Sequence, residues 1–111
     1  MATKYRFLFI LIPMIATLAM AQNAGKASHS LYGGNKGRVE FPHHQHQTQL
    51  GDCGICHTSF PQESGSLEAL KAKGKLKKKQ IMNKTCMACH RRLKKAGKST
   101  GPTRCNGCHT R

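Results

Sequence analysis

Three five-residue units recur between residues 53 and 109: Cys53-Gly-Ile-Cys56-His57, Cys86-Met-Ala-Cys89-His90 and Cys105-Asn-Gly-Cys108-His109. Together they use all six cysteines. In each unit two thiols are separated by two residues, close to one helical turn, and an imidazole follows at once. That order suits covalent capture of a porphyrin. Two thiols reach the vinyl groups on adjacent pyrroles, and the next residue swings under the ring to give iron its proximal nitrogen. Cys-x-x-Cys-His is the attachment signature of c-type haem. Three units imply three haems c, held by Cys53, Cys56, Cys86, Cys89, Cys105 and Cys108, with His57, His90 and His109 as proximal ligands.

Two other chemistries use cysteine pairs. Six cysteines could form three disulfides, but that leaves a histidine directly after every pair unexplained. Cys86-x2-Cys89 and Cys105-x2-Cys108, fifteen residues apart, fit zinc-ribbon spacing. A zinc ribbon leaves Cys53 and Cys56 idle, and thiolate zinc suits a reducing compartment, not an oxidising one.

The start of the chain indicates export. Lys4 and Arg6 precede an apolar run from Phe7 to Met20, and Ala19-Met20-Ala21 offers a small-x-small cleavage site. Residues 1–21 therefore read as a signal peptide cleaved after Ala21, the run being shorter than the ~18 apolar residues of a spanning helix. Removing them takes away Lys4 and Arg6 and leaves +13 of the formal charge of +15. Leu, Ile, Val and Phe then make up 11 of 90 residues, far below the roughly 20% under which charged chains normally stay disordered. An ordinary hydrophobic core is excluded. Three porphyrins can supply one, at about 25 cal/mol for each Å² of apolar surface buried, with the thioethers as staples in a small scaffold. The haem-free chain is expected to be largely disordered.

Each iron needs a sixth ligand. Beyond the proximal three, the mature chain offers His29, His43, His44 and His46, together with Met82 and Met87. At Val39-Glu-Phe41-Pro42-His43-His-Gln-His46-Gln47, with the three attachment units, Arg91-Arg-Leu-Lys-Lys and Gly101-Pro-Thr, the chain resembles the small periplasmic triheme cytochromes c, three-haem relatives of the tetrahaem class III cytochromes. The likeness covers roughly residues 37–111. It implies that His43 is the distal ligand opposite His57, and His46 the distal ligand opposite His90. The family's remaining distal histidine, four residues before the second unit, serves the last haem; here that position is Met82. Met82 is thus the candidate opposite His109, a pairing that raises a reduction potential relative to two imidazoles. The alternatives at that iron are His44, His29 or no residue. His44, between two ligands on what reads as a short turn, is expected at the surface, as is His29; Met87 is expected to pack against porphyrin.

The expected architecture is a small, mostly irregular and α multihaem cytochrome fold, with short N-terminal strand and few short helices around three covalent haems. Residues 22–37 read as a loose polar arm, and 38–111 as the triheme domain. Arg38 to Phe41 alternates polar and apolar up to Pro42 and predicts a strand. Residues 86–96 predict a helix capped by Thr85 and closed by Gly97, and 66–80 a weaker one interrupted by Gly74.

Six haem propionates would offset at most six of the thirteen positive charges. Lys71, Lys73, Lys75, Lys77, Lys78 and Lys79 form one basic run, and Lys94, Lys95 and Lys98 another. Such a surface steers encounters with acidic redox proteins in a salt-dependent way; export and the lack of a reading motif argue against nucleic acid. The expected function is periplasmic electron transfer by a monomer, peripheral to membranes at most and not an enzyme. The resemblance implies donors at the inner membrane and outer-membrane or terminal acceptors. The alternative is a small reductase of metal ions, nitrogen oxides or sulfur compounds with an open site at the third haem. Intact mass and the visible spectrum of the exported protein separate the chemistries: three covalent haems with a Soret band are expected, whereas bound zinc or three disulfides without colour would refute the haem assignment.

Overall fold

The computed structural model describes residues 23–111; the expected signal peptide, residues 1–21, lies outside them. The chain runs through β1 (His29–Leu31), a 3-10 turn (Gly34–Lys36), β2 (Arg38–Phe41), α1 (His43–Leu50), α2 (Gly54–His57), α3 (Ser66–Ala72), a π turn (Met82–Cys86), α4 (Met87–Lys95), α5 (Cys105–Cys108) and β3 (His109–Thr110). The architecture is the one expected from the sequence: few short helices and a small sheet.

The sheet is antiparallel in the order β1-β2-β3. β2 is where the alternation placed it, with Val39 and Phe41 half-buried and Arg38 and Glu40 exposed. Val39 lies opposite Leu31 on one side and His109 on the other. The last attachment unit is thereby fastened to the strand that leads into the first histidines. β2 ends at Pro42, which cannot donate to a ladder and stands at the N-cap of α1.

The segment carrying His43, His44 and His46 is a helix and not a turn. It closes on Gly51 in the left-handed region, whose N–H donates to Gln47 O at 2.9 Å. On a helix His43 and His46 share a face while His44 points about 100° away. The polar stretch expected to be loose carries β1, and residues 23–28 lie along α1 through hydrogen bonds described below.

Thr85 is not a cap. The helical stretch begins at Gln80, passes through the π turn and continues as α4, so Thr85 lies inside it. Gln80 Oε1 accepts from Lys77 N–H at 3.0 Å, which satisfies one free donor just upstream. At the far end Lys98 N–H reaches Leu93 O at 2.9 Å and Gly97 N–H reaches Lys94 O at 3.0 Å. These bonds satisfy orphan carbonyls around a left-handed Gly97, beside the basic last turn of Arg92, Lys94 and Lys95. α3 stops at Ala72, before Gly74, so the weaker helix is half the length the sequence suggested.

Among the described residues Met87 alone is buried, at 8% exposure. Ordered elements with one buried side chain need an interior that side chains do not provide, and Met87 sits inside the second attachment unit. No helix among the described residues is long and apolar enough to cross a membrane.

Candidate haem sites and axial ligands

Each attachment unit is one turn of helix. α2 holds the first, started by Asp52, whose Oδ1 accepts from Gly54 N–H at 2.8 Å; α4 opens on the second and α5 is the third. Helical spacing places both cysteines of a unit on one side of its turn. In every unit the first cysteine is exposed and the second half-buried. Desolvation, followed by repulsion from Cys89 and Cys53, pushes the Cys56 thiol above its ordinary range. The Cys86 thiol is desolvated although the residue as a whole is exposed, and it is raised further by Cys56 and Cys108. Desolvation and then Cys105 raise Cys108. Cys86 thus lies within electrostatic reach of a cysteine from each of the other two units.

The imidazoles show a common pattern. Nδ1 of His57 bonds Phe60 O at 3.3 Å, Nδ1 of His90 bonds Pro102 O at 2.8 Å, and Nδ1 of His109 bonds Gly37 O at 3.0 Å. On α1, Nδ1 of His43 bonds Lys26 O at 3.0 Å and Nδ1 of His46 bonds Pro42 O at 2.9 Å. A carbonyl only accepts, so each Nδ1 carries the proton and each Nε2 keeps its lone pair. That is the tautomer a metal requires, fixed in the way metal-bound histidines are commonly fixed. His44 is the reverse: its Nε2 donates to Gly25 O at 2.9 Å. His29 is half-buried and meets the His43 ring edge-on at 5.1 Å.

Two ring pairs have the separation of trans ligands. The centroids of His43 and His57 are 6.3 Å apart with planes at 81°, and those of His46 and His90 are 6.2 Å apart with planes at 14°. Two imidazoles on opposite sides of one metal, each bonded at about 2.0 Å, have centroids about 6 Å apart. The similar 6.2 Å between His43 and His44 belongs to chain neighbours, one of whose Nε2 atoms is engaged elsewhere. Phe41 sits 4.3 Å from the His46 ring and Phe60 4.9 Å from the His57 ring, giving each pair an apolar flank.

The third unit differs. His109 leaves α5 in an extended conformation and enters β3, and among the described residues no imidazole pairs with it. Met82, half-buried, opens the π turn just upstream of Cys86, and its carbonyl accepts the Met87 N–H. A π turn shifts the face from which Met82 projects relative to Cys86, and such turns recur at functional sites. An open recess of about 290 Å³ beside this unit is lined by Lys36, Cys105, Asn106, His109 and Arg111, and its two cations would suit the carboxylates of a haem held there. The donor set, the tautomers and the ring spacings all fit haem.

The carbonyls that hold these rings were invisible in the sequence, since any residue carries one. Gly101-Pro102 was noticed only as a point of likeness; it forms the seat of His90. A Cβ on Gly101 would lie 2.5 Å from His90 Cε1, a separation that real Cβ contacts do not show. Gly101→Val is expected to displace the His90 ring and perturb the visible and paramagnetic NMR signals of one haem, leaving the other two as they were; three unchanged haems would contradict that seat.

Residues 39–110 match the family model described as cytochrome c7 and related cytochrome c. The chain is 35% identical over 100 residues to cytochrome c7 of Geobacter metallireducens, covering 86% of this chain and 94% of that protein. It is 29% identical to the 26 kDa cytochrome c3 of Desulfomicrobium norvegicum, across 88% of this chain and 95% of that one. The fold resembles the triheme cytochrome PpcA of Geobacter sulfurreducens, with a TM-score of 0.54 at 30% identity over 78% of this chain and all of that one. PpcC from the same organism gives 0.53 at 31% identity, over 78% of this chain and 99% of that one. With well over half its length matched by the family model and a relative alike nearly end to end, the chain belongs to the cytochrome c7 family, small triheme class III cytochromes that carry electrons on three covalent haems c.

Proposed function

We propose that this cytochrome is a periplasmic shuttle, taking electrons from donors at the inner membrane and passing them to outer-membrane or terminal acceptors. In this reading His43 and His57 ligate the first haem, His46 and His90 the second, and His109 with Met82 the third. The observation that carries it is a shared contact: the five rings whose Nδ1 is held by a backbone carbonyl are the five histidines proposed as ligands, while His44 bonds through Nε2 instead. Each haem supplies one reversible electron between Fe(III) and Fe(II).

The protein's own residues then do three things. At the first two haems, paired imidazoles would hold the iron from both sides and leave no position for substrate, which suits a carrier. Nδ1–H bonds to backbone carbonyls increase imidazole basicity and so favour the ferric state of the first two haems. A thioether from Met82 does the opposite, which makes the third haem the first to accept an electron. The six lysines of 71–79 are all exposed, and Lys71 Nζ stands 3.9 Å over the ring of Tyr32, bringing the start of this run beside the sheet. A monomer with that surface would meet acidic redox proteins, faster at low ionic strength.

The second reading is a small reductase with an open position at the third haem. It draws on the missing imidazole partner of His109. Three experiments test the ligand set, and the second and third separate the two readings. Ferric low-spin EPR should show one signal of large maximal g from the near-perpendicular His43/His57 pair, whose two iron orbitals stay nearly degenerate, and one rhombic signal from the near-parallel His46/His90 pair. Met82→His should lower one of three potentials in a redox titration; three unmoved potentials would remove Met82 from the iron. Carbon monoxide should bind the reduced wild type slowly at every haem, and rapid binding at one would favour the reductase.

A further inference from the structure

The residues before β1 are bound to α1 by a run of hydrogen bonds. Gln47 Nε2 donates to Ala24 O at 3.0 Å, His44 Nε2 to Gly25 O at 2.9 Å, and His43 Nδ1 to Lys26 O at 3.0 Å. His44 N–H donates to Ala27 O at 3.1 Å. Asn23 Nδ2 reaches Thr48 Oγ1 at 3.4 Å, and Ser28 Oγ reaches Phe41 O at 3.1 Å. Four successive carbonyls, 24 to 27, thus face one helix.

α1 has particular need of them. It has no side-chain cap at its start, and the first N–H groups of a helix have no partner within it; Ala27 O satisfies one. The helix is also built of His, Gln and Thr with a single apolar residue, Leu50, so apolar burial contributes little to it. The family model matches from Val39 onward, so residues 24–27 precede the segment that it describes.

We propose that Ala24–Ala27 is a positioning strap for the distal imidazole of the first haem: it fixes the tautomer and plane of His43 and thereby sets the potential of that haem. Lys26 O holds Nδ1, a Cβ on Gly25 would lie 3.7 Å from His43 Cε1, and the His29 ring meets the His43 ring at 71° with centroids 5.1 Å apart. His44 is the clasp. Its reversed bond to Gly25 ties the strap down, which gives a role to a histidine that ligates nothing. The inference rests on His43 being the ligand opposite His57. The carbonyl at Nδ1 increases ligand basicity; removing it favours Fe(II), so the potential of that haem rises and the ring turns more freely.

The test uses the exported, haem-loaded protein in four forms: deletion of residues 23–27, Gly25→Val, Gly25→Asn and His43→Ala. Gly25 has φ of +73°, a conformation that asparagine visits and a β-branched residue resists. The deletion and Gly25→Val are expected to shift the large-g EPR signal, raise one potential of three, and speed carbon monoxide binding at one haem by about tenfold. Gly25→Asn should restore all three readings. Should the deletion fail to mature, the valine and asparagine pair decides alone. Unchanged signals in the deletion and valine forms, while His43→Ala opens one haem to carbon monoxide, would overturn the strap and leave the ligand assignment standing. If His43→Ala opens none, the assignment fails and takes the strap with it.

Discussion

The Nδ1–H···O=C bond is the contact on which the rest of this structure turns. Five of seven histidines make it, and in each the acceptor is a backbone carbonyl from a different local element: a leader strap, the residue before a helix, a loop, a Gly-Pro seat and the turn before a central strand. The folded backbone is thus a set of acceptors arranged around imidazoles. A carbonyl fixes a ring with little loss of side-chain entropy, because the main chain is already ordered. It also decides which nitrogen faces a metal.

This arrangement explains how so little regular structure suffices. The sheet has nine residues and β3 only two, too few for independent stability. Its use is to hold Gly37 and His109 within hydrogen-bonding distance across 72 positions of sequence. The helices are equally short, and each either bears an attachment unit or presents histidines proposed as distal ligands, α3 excepted. α3 and the lysines that follow are separate from the ligand framework, which fits a role at the surface. With Met87 the only buried side chain described, cohesion comes from porphyrin faces and from thioethers that tie six points of the chain to three rigid discs.

Legibility in the sequence followed the same division. The attachment units were plain because covalent chemistry demands fixed residue types at fixed spacing. β2 was plain because Arg38 to Phe41 alternates and Pro42 ends it. α1 was not, since His43–Leu50 has no apolar periodicity and is held by caps and a strap made of main-chain carbonyls. β1 and β3 escaped for a related reason: three and two residues carry no pattern, and their pairing is set by partners distant in the chain. Thr85 was a reasonable cap locally, but Gln80 and the π turn extend the helix past it. Crowding on a turn predicted His44 at the surface, whereas it stands half-buried on a helix. The cause, a bond to Gly25, depends on where the leader lies, which residue types do not reveal.

The claim beneath all of this is that porphyrin is the interior of the molecule. Circular dichroism of the exported chain with all six cysteines changed to serine, followed through a denaturant titration beside the haem-loaded protein, tests it most directly. The account predicts a cooperative transition for the loaded protein and a featureless, disordered spectrum for the serine form. A serine form that unfolds cooperatively from a native-like helical signal would contradict it.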